Sequence, residues 1–475
     1  MHGDESRRMF VAFPPWRLLL LMRWGLEFGQ LNAGRRPTPS DIEECLGILD
    51  RMSDLPKSSL FDEPGGVLRF LRATGAEQFH HQRFPTSLEL ARQVVWYTDG
   101  AHSRFTSRRV ERASSDLARR MTEITGLPVP DFLRVLILLW ADSRQPSQPL
   151  LRTAGNLATP LGLDVERVHQ TLLSISVPIE HASAFVSTGF EKREWQFTAR
   201  SPFVRKPLLQ LDEDSFAAVS MGVLSMFMRH AVFATLRAHD PDCIGERHGY
   251  LQEAHVGRGL EHLGFAVRDE AALKRGLSPG EGVADFACDP VDGVRLVVDS
   301  KAVAPNRFQR VNPTAQYDRR ELRKGVIKAL CQCLETAYRL DATDGAQRNQ
   351  LLVVTREEFL LGNGPTLWRE HVGKALHTHM DRSGIPQDFV GPADVAVVSL
   401  ETFDRWVGSS GGPAEALATL TRAADASGTP DERLTLEDHI PTPHAAPPYL
   451  QAAWNQLFSD LEARAGGAGP GDPLS

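Results

Sequence analysis

Cysteine is scarce in this chain, long apolar runs are missing and positive charge is in deficit, and each shortage removes a class of protein. The five cysteines (Cys45, Cys243, Cys288, Cys331, Cys333) are odd in number and scattered over 475 residues. None has CxxC or Cys/His zinc spacing, so neither a disulfide framework nor a zinc site is expected, and reduced thiols in a cytoplasmic setting are. The most apolar N-terminal stretch, FVAFPPWRLLLLMRW, is broken by Pro14, Pro15, Arg17 and Arg23. Its uninterrupted core, Leu18–Met22, falls far short of the roughly 20 residues that span a bilayer. No small-residue cleavage site follows it. A buried helix is expected there, and no membrane partner. The net charge of −7 means that any nucleic-acid affinity has to come from local basic patches. A Walker A loop is absent, and GRGLEHLG (Gly257–Gly264) falls inside a helical pattern without dinucleotide-binding spacing. His80-His81 and His377-x-His379 lack a third ligand at a useful distance.

What is present is the composition of a folded protein, 42% apolar and 24% charged, on a chain long enough for two or three domains. Residues 1–194 read as a helical N-terminal region. Capping boxes at Ser40-x-x-Glu43 and Thr86-x-x-Glu89 precede apolar residues at helical spacing, and the apolar segment FLRVLILLW (Phe132–Trp140) supplies its core helix. The arginines from Arg104 to Arg120 are interleaved with Glu111 and Asp116 and read as a solvated helix side. Leu157–Ser176 reads as an ordinary helical pair turning at Gly162, without recognition-helix chemistry. Residues 195–242 form a bridging segment, extended and then helical from Phe216 to Leu236. From 243 to 407 helices alternate with short apolar runs, which predicts a mixed central sheet covered by helices. Residues 408–475 read as a loose extension with one helix and a flexible tail.

Chemistry concentrates in Gly282–Lys301, GVADFACDPVDGVRLVVDSK. Asp299 and Lys301 are two apart on an apolar strand and so share a face. A two-residue turn at Asp292-Gly293 would set Asp285 on the opposite face. A three-residue loop, Val291–Gly293, sets it across from Asp299, and this loop is the expectation. On the preceding helix Glu253, Val256, Leu260 and Leu263 form one stripe, so Glu253 faces the core and needs a partner. Glu261 falls off the stripe, and Glu246 lies at the start of the helix.

Glu253 ahead of Gly264-Phe265, then GVADF, then LVVDSK resembles the PD-(D/E)xK nuclease superfamily over residues 243–407. Ala284 stands where a proline often precedes the first aspartate, and Asp299 fills the second acidic position, which the pattern allows. The resemblance implies a restriction-endonuclease-like α/β fold and hydrolysis of phosphodiester bonds. It also implies a Mg²⁺ (or Mn²⁺) cofactor on Asp285, Asp299 and the Ser300 carbonyl, with Glu253 acting directly or through water. Lys301 would orient the attacking water, and Gln332 is the residue that the following helix would bring to the site, with Lys328 second. By fold analogy such a chain is a DNA endonuclease of bacterial defence against phage or foreign DNA, its helical N-terminal region recognising a target, a protein partner or a second copy. Arg307, Arg310, Arg319, Arg320, Arg323, Lys324 and Lys328 follow the motif and form either a flank holding the nucleic-acid backbone or a solvated helix face. The alternative from another class is a non-catalytic nucleic-acid-binding or assembly protein that retains the fold.

Overall fold

The computed structural model describes residues 15–464, apart from residues 29–37, 53–86, 100–103, 144–150, 188–199, 278–281, 305–321, 345, 428, 430–432, 434 and 442–445. Within these the chain is mainly helical, with two mixed sheets.

The first region opens with helices α1 (Pro15–Phe28), α2 (Pro39–Met52), α3 (Ser87–Val94), α4 (Arg108–Thr125) and α5 (Val129–Ser143). Leu19, Leu20 and Leu26 of α1 are buried, as the broken apolar run implies. Among the described residues no single helix is long and apolar enough to cross a membrane. Strand β1 (Leu151–Arg152), α6 (Ala154–Leu161), α7 (Val165–Ser174), β2 (Ser176–Pro178), α8 (Ala182–Ser187), β3 (Leu208–Gln210) and β4 (Phe216–Ala218) follow. They build a small sheet in the order β1-β4-β3-β2 that the helical reading of this region did not include. The strands are only two or three residues long, too short for a period-2 pattern to show. The single helix expected from Phe216 is instead β4 followed by α9 (Met221–Met228) and α10 (Ala231–His239).

The second region begins with α11 (Pro241–His262). Proline in the first turn and Asp242 beside the helix N-terminus favour that start. Gly264, at φ +86°, closes its far end in the left-handed conformation, donating to the Glu261 carbonyl while Phe265 donates to that of Leu260. Gly257 and Gly259 lie where a Cβ would come within 2.6 Å of the Phe105 and Phe403 rings. These glycines serve close packing, not a phosphate loop.

Strands β5 (Val267–Asp269), β6 (Phe286–Cys288), β7 (Val294–Lys301), β8 (Arg348–Thr355) and β9 (Val395–Ser399) pair in that order. The first three form an antiparallel meander, with α12 (Glu270–Gly276) between β5 and β6, and β8 and β9 continue parallel to β7. Crossovers between parallel strands require helices. They are supplied by α13 (Lys328–Asp344), entered through a π-helical turn at Arg323–Ile327, and by α14 (Gly373–Ser383). One face of the sheet (Phe286, Leu296, Val298, Leu352, Val354) joins the core cluster that includes Val256 and Leu260 of α11. The other (Ala287, Val297, Leu351, Val353, Val397) joins the cluster that includes Ala329, Leu330 and Cys333 of α13.

The larger core cluster runs from Leu88 to Leu461 without a break at residue 243. The described residues between 408 and 464 hold more than the one helix expected of a loose extension, and the expected tail lies outside the described residues. After α15 (Leu400–Ser409) come α16 (Pro413–Asp425) and α17 (Pro448–Arg464), and Leu450 and Leu457 of α17 are buried in that shared core.

Candidate active site

The hairpin β6–β7 sets the site. Val291 and Val294 exchange both backbone hydrogen bonds at 2.9 Å, and Asp292 and Gly293 have φ of +49° and +79°. This is the two-residue turn of type I′, not the expected three-residue loop. On that turn alone Asp285 faces away from Asp299. The ladder corrects itself by one residue, however, because Ala287 pairs with Val297 and Phe286 with Val298. Between the turn and these pairs, Cys288, Asp289 and Pro290 oppose only Arg295 and Leu296, which is a β-bulge. Pro290 has no N–H to give, and the Asp289 N–H is spent on the Ala266 carbonyl next to β5. Continued by one step, the register puts Asp285 opposite Asp299. The expected juxtaposition therefore arises by a different route.

Asp285 accepts the Ser300 N–H at 2.7 Å, which fixes its carboxylate across the hairpin. Asp299 is 0% exposed, and Lys301 Nζ lies 2.6 Å from its Oδ1. Apart from that ion pair, neither Asp299 oxygen has a hydrogen-bond partner among the described residues. Burial, then the neighbouring Asp285, push the Asp299 carboxyl well above the usual range, with Lys301 opposing. Burial also raises Asp285, against Lys301 and the Ser300 N–H. For Lys301 burial disfavours the ammonium, but Asp299 and Asp285 outweigh it and its pKa rises.

Glu253 approaches from α11, half-buried beside the fully buried Val256 and Leu260 of its stripe. Burial first, then Asp285 and Glu270, raise its pKa to about 7, while Lys301 works the other way. The competing acids are engaged elsewhere, Glu261 with Arg104 and Glu246 with the Tyr250 hydroxyl. Among the described residues no group of three or more His, Cys, Asp or Glu is placed to hold a metal ion. The two-aspartate pair on the ladder therefore stands without Glu253 as a direct third ligand in this arrangement.

Gln332 sits on α13 against Gly282, its Nε2 3.0 Å from where a Cβ would be. Its Oε1 is buried without a hydrogen-bond partner among the described residues, and it does not bond Asp285 or Asp299. Sequence reasoning missed Thr336, one turn later on the same stripe, which accepts the Ala284 N–H at 2.8 Å and donates to the Gln332 carbonyl. That link ties α13 to the residue next to Asp285. Cys333 on the same helix is a core thiol, raised by burial and by the nearby Asp299 and Asp285. Arg323, Lys324 and Lys328 are exposed at the start of α13. Arg307, Arg310, Arg319 and Arg320 lie outside the described residues.

The arginines around α4 are engaged with acids of the chain, Arg119 and Arg120 with Glu123 and Arg120 also with Asp240. The α6–α7 pair carries Glu166 in the first turn of its second helix. The nearby β3–β4 turn exposes Asp212, Glu213 and Asp214. Such charges repel a phosphate backbone.

Comparison of the chain with protein-family models, curated proteins and solved structures returns no match.

Proposed function

We propose that the protein is a metal-dependent nuclease that hydrolyses phosphodiester bonds, with DNA as its substrate. The observation that carries this reading is Asp299, buried among valines and leucines opposite Asp285, with the Lys301 ammonium as the only polar partner of its carboxylate among the described residues. Two buried carboxylates that share one ammonium are costly unless a further cation compensates them. The order helix, three antiparallel strands with the short α12 between the first two, helix, parallel strand in α11–β8 supports a restriction-endonuclease-like domain.

The donor set suits the Mg²⁺ or Mn²⁺ that the superfamily resemblance implies. Hard divalent ions take oxygen ligands and keep water, and Asp285, Asp299 and the Ser300 carbonyl offer oxygens. Such an ion, when bound, supplies Lewis-acid polarisation of the phosphate and a more acidic water. The chain's own groups do the remainder. The Ser300 N–H holds Asp285 in orientation. Lys301 keeps its charge beside the site and offsets negative charge developing on the phosphate. Glu253, with a pKa of about 7, is poised to accept a proton from an attacking water near neutral pH.

The non-catalytic alternative is favoured by one observation, the lack of a third carboxylate closing on the aspartate pair. A cleavage assay with Mg²⁺ or Mn²⁺ on plasmid, linear duplex, single-stranded DNA and RNA separates the two. Cleavage that disappears in Asp299→Ala while binding persists supports the nuclease. Activity unaltered by that substitution removes Asp299 from the mechanism.

A further inference from the structure

A groove of about 1030 Å³ opens between the first half of α13 with the turn before it and α14 with the residues that lead into it, and Gln332 and Gly282 form part of its wall. It therefore adjoins the segment Gly282–Asp285 that leads into β6. Its walls also carry Arg323 and Lys328 on the α13 side and Arg369, Lys374 and Arg382 on the other. Two acids line it, and both are engaged. Glu370 pairs with Arg369 at 2.7 Å, and Glu335 lies 2.7 Å from His379. Arg323, Lys328 and Lys374 have no carboxylate partner among the described residues, and Arg382 donates to His379 Nδ1.

Three features define what such a groove takes. Its charge selects an anion with repeated negative groups, since the unpaired cations come from both walls. Apart from the imidazoles of His371 and His379, its lining holds no aromatic side chain, so the Phe, Tyr or Trp platforms on which bases stack are missing and contact falls on phosphates. Its volume is at the upper end of the roughly 300–1,000 Å³ of small-ligand pockets, room for a few nucleotides of one strand and not for a turn of duplex. We propose that this groove holds a single phosphodiester strand by its phosphates, independently of sequence, as the strand leads away from Asp285 and Asp299. The direction of that strand rests on the nuclease reading; the binding does not. Lys374 and Arg382 are exposed, and neither belongs to the basic segment that follows the motif.

Fluorescence anisotropy on the full chain in EDTA, where no cleavage occurs, tests the proposal. The probes are a labelled oligothymidylate, a labelled oligouridylate and a labelled duplex. The wild type is expected to bind the single strands more tightly than the duplex, and the first two probes tell DNA from RNA. In Lys374→Ala/Arg382→Ala, single-strand affinity falls on the order of tenfold. The slope of log affinity against log salt falls by about 1.4, two contacts at roughly 0.7 each. Unchanged thermal melting verifies that the variant folds, and charge reversal in Lys374→Glu deepens the loss. A wild type that binds none of the probes or prefers duplex overturns the proposal, as does a double variant with wild-type affinity and slope. Wild-type cleavage with Mg²⁺ is scored separately. Cleavage together with indifferent groove variants sinks the groove alone, whereas no cleavage together with groove-dependent binding sinks the nuclease reading alone.

Discussion

Two aspartates in this molecule are equally buried and differently treated. Asp299 and Asp404 are both 0% exposed. Asp404, on α15, receives a charge-assisted bond from Arg92 of α3 and lies 2.6 Å from His255 Nε2 of α11. Each of its oxygens has a partner, and the three helices it joins belong to both regions of the chain. Asp299 has only the Lys301 ammonium, at one oxygen, as a polar partner among the described residues. Burial alone therefore does not separate a structural acid from a functional one. Satisfaction does: an acid with a separate partner on each oxygen holds elements together, and one that shares a single ammonium with a second buried carboxylate is kept at a cost to stability because something else uses it.

The sharpest test of this contrast substitutes both residues by alanine. Asp404→Ala leaves Arg92 and His255 facing a void in the shared core. Thermal or denaturant unfolding should show a loss of about 3–5 kcal/mol, typical of breaking a buried pair. Asp299→Ala should do the reverse on both counts. The metal-free protein keeps or gains stability, and cleavage falls by roughly a thousandfold or more, about 4 kcal/mol of barrier. A comparable loss of stability in both variants would make Asp299 another structural anchor.

The pH dependence of the metal-free protein is the second test. Glu253, Asp285 and Asp299 all have raised pKa values in the folded state. The native protein then holds more protons than the unfolded chain above the ordinary carboxylate range. Stability from these groups is present at low pH and is lost as pH rises, for Glu253 between its unfolded value of 4.5 and about 7. Glu253→Gln should remove part of that decline and stabilise the metal-free protein at neutral pH by on the order of 2 kcal/mol. Melting temperature against pH reads this directly. A wild-type curve that rises from pH 5 to 7 as steeply as that of the variant contradicts the assignment. Added Mg²⁺ should stabilise the wild type more at pH 8 than at pH 6, since the ion displaces protons from the pair.

Why one of these acids was legible in the sequence and the other was not follows from distance along the chain. Asp285, Asp299 and Lys301 lie on one hairpin, where period 2 and a turn decide the faces, and Glu253 was chosen by a helical stripe whose other members are buried in the fold. Strands β7, β8 and β9 were readable for the same reason, as apolar runs, whereas β5, Val267–Asp269, carries two charged residues and the short α12 after it was not expected. Asp404 meets Arg92 from 312 residues away, and nothing local marks either residue. The continuous core was hidden likewise, since α3 and α17 pack together from opposite ends of the chain. The second wall of the basic groove escaped notice because Arg369, Lys374 and Arg382 are interspersed with Glu370 and Asp381. Only the fold sorts those charges by side.

The smallest predicted effect concerns the route by which Asp285 reaches Asp299. The type I′ turn puts Gly293 at φ +79°, where a Cβ would also approach the Gln347 side chain to 2.9 Å. Asp292 tolerates the left-handed conformation because its short polar side chain does. Alanine at 293 does so less readily, so Gly293→Ala should cost about 1–2 kcal/mol in an unfolding titration. Its effect on cleavage should be slight, because the register at the site is set beyond the turn by the bulge at Cys288–Pro290. Under the three-residue loop the turn itself places Asp285, and disturbing Gly293 would reduce cleavage along with stability. Loss of stability with cleavage retained therefore distinguishes the turn-plus-bulge from the simple loop.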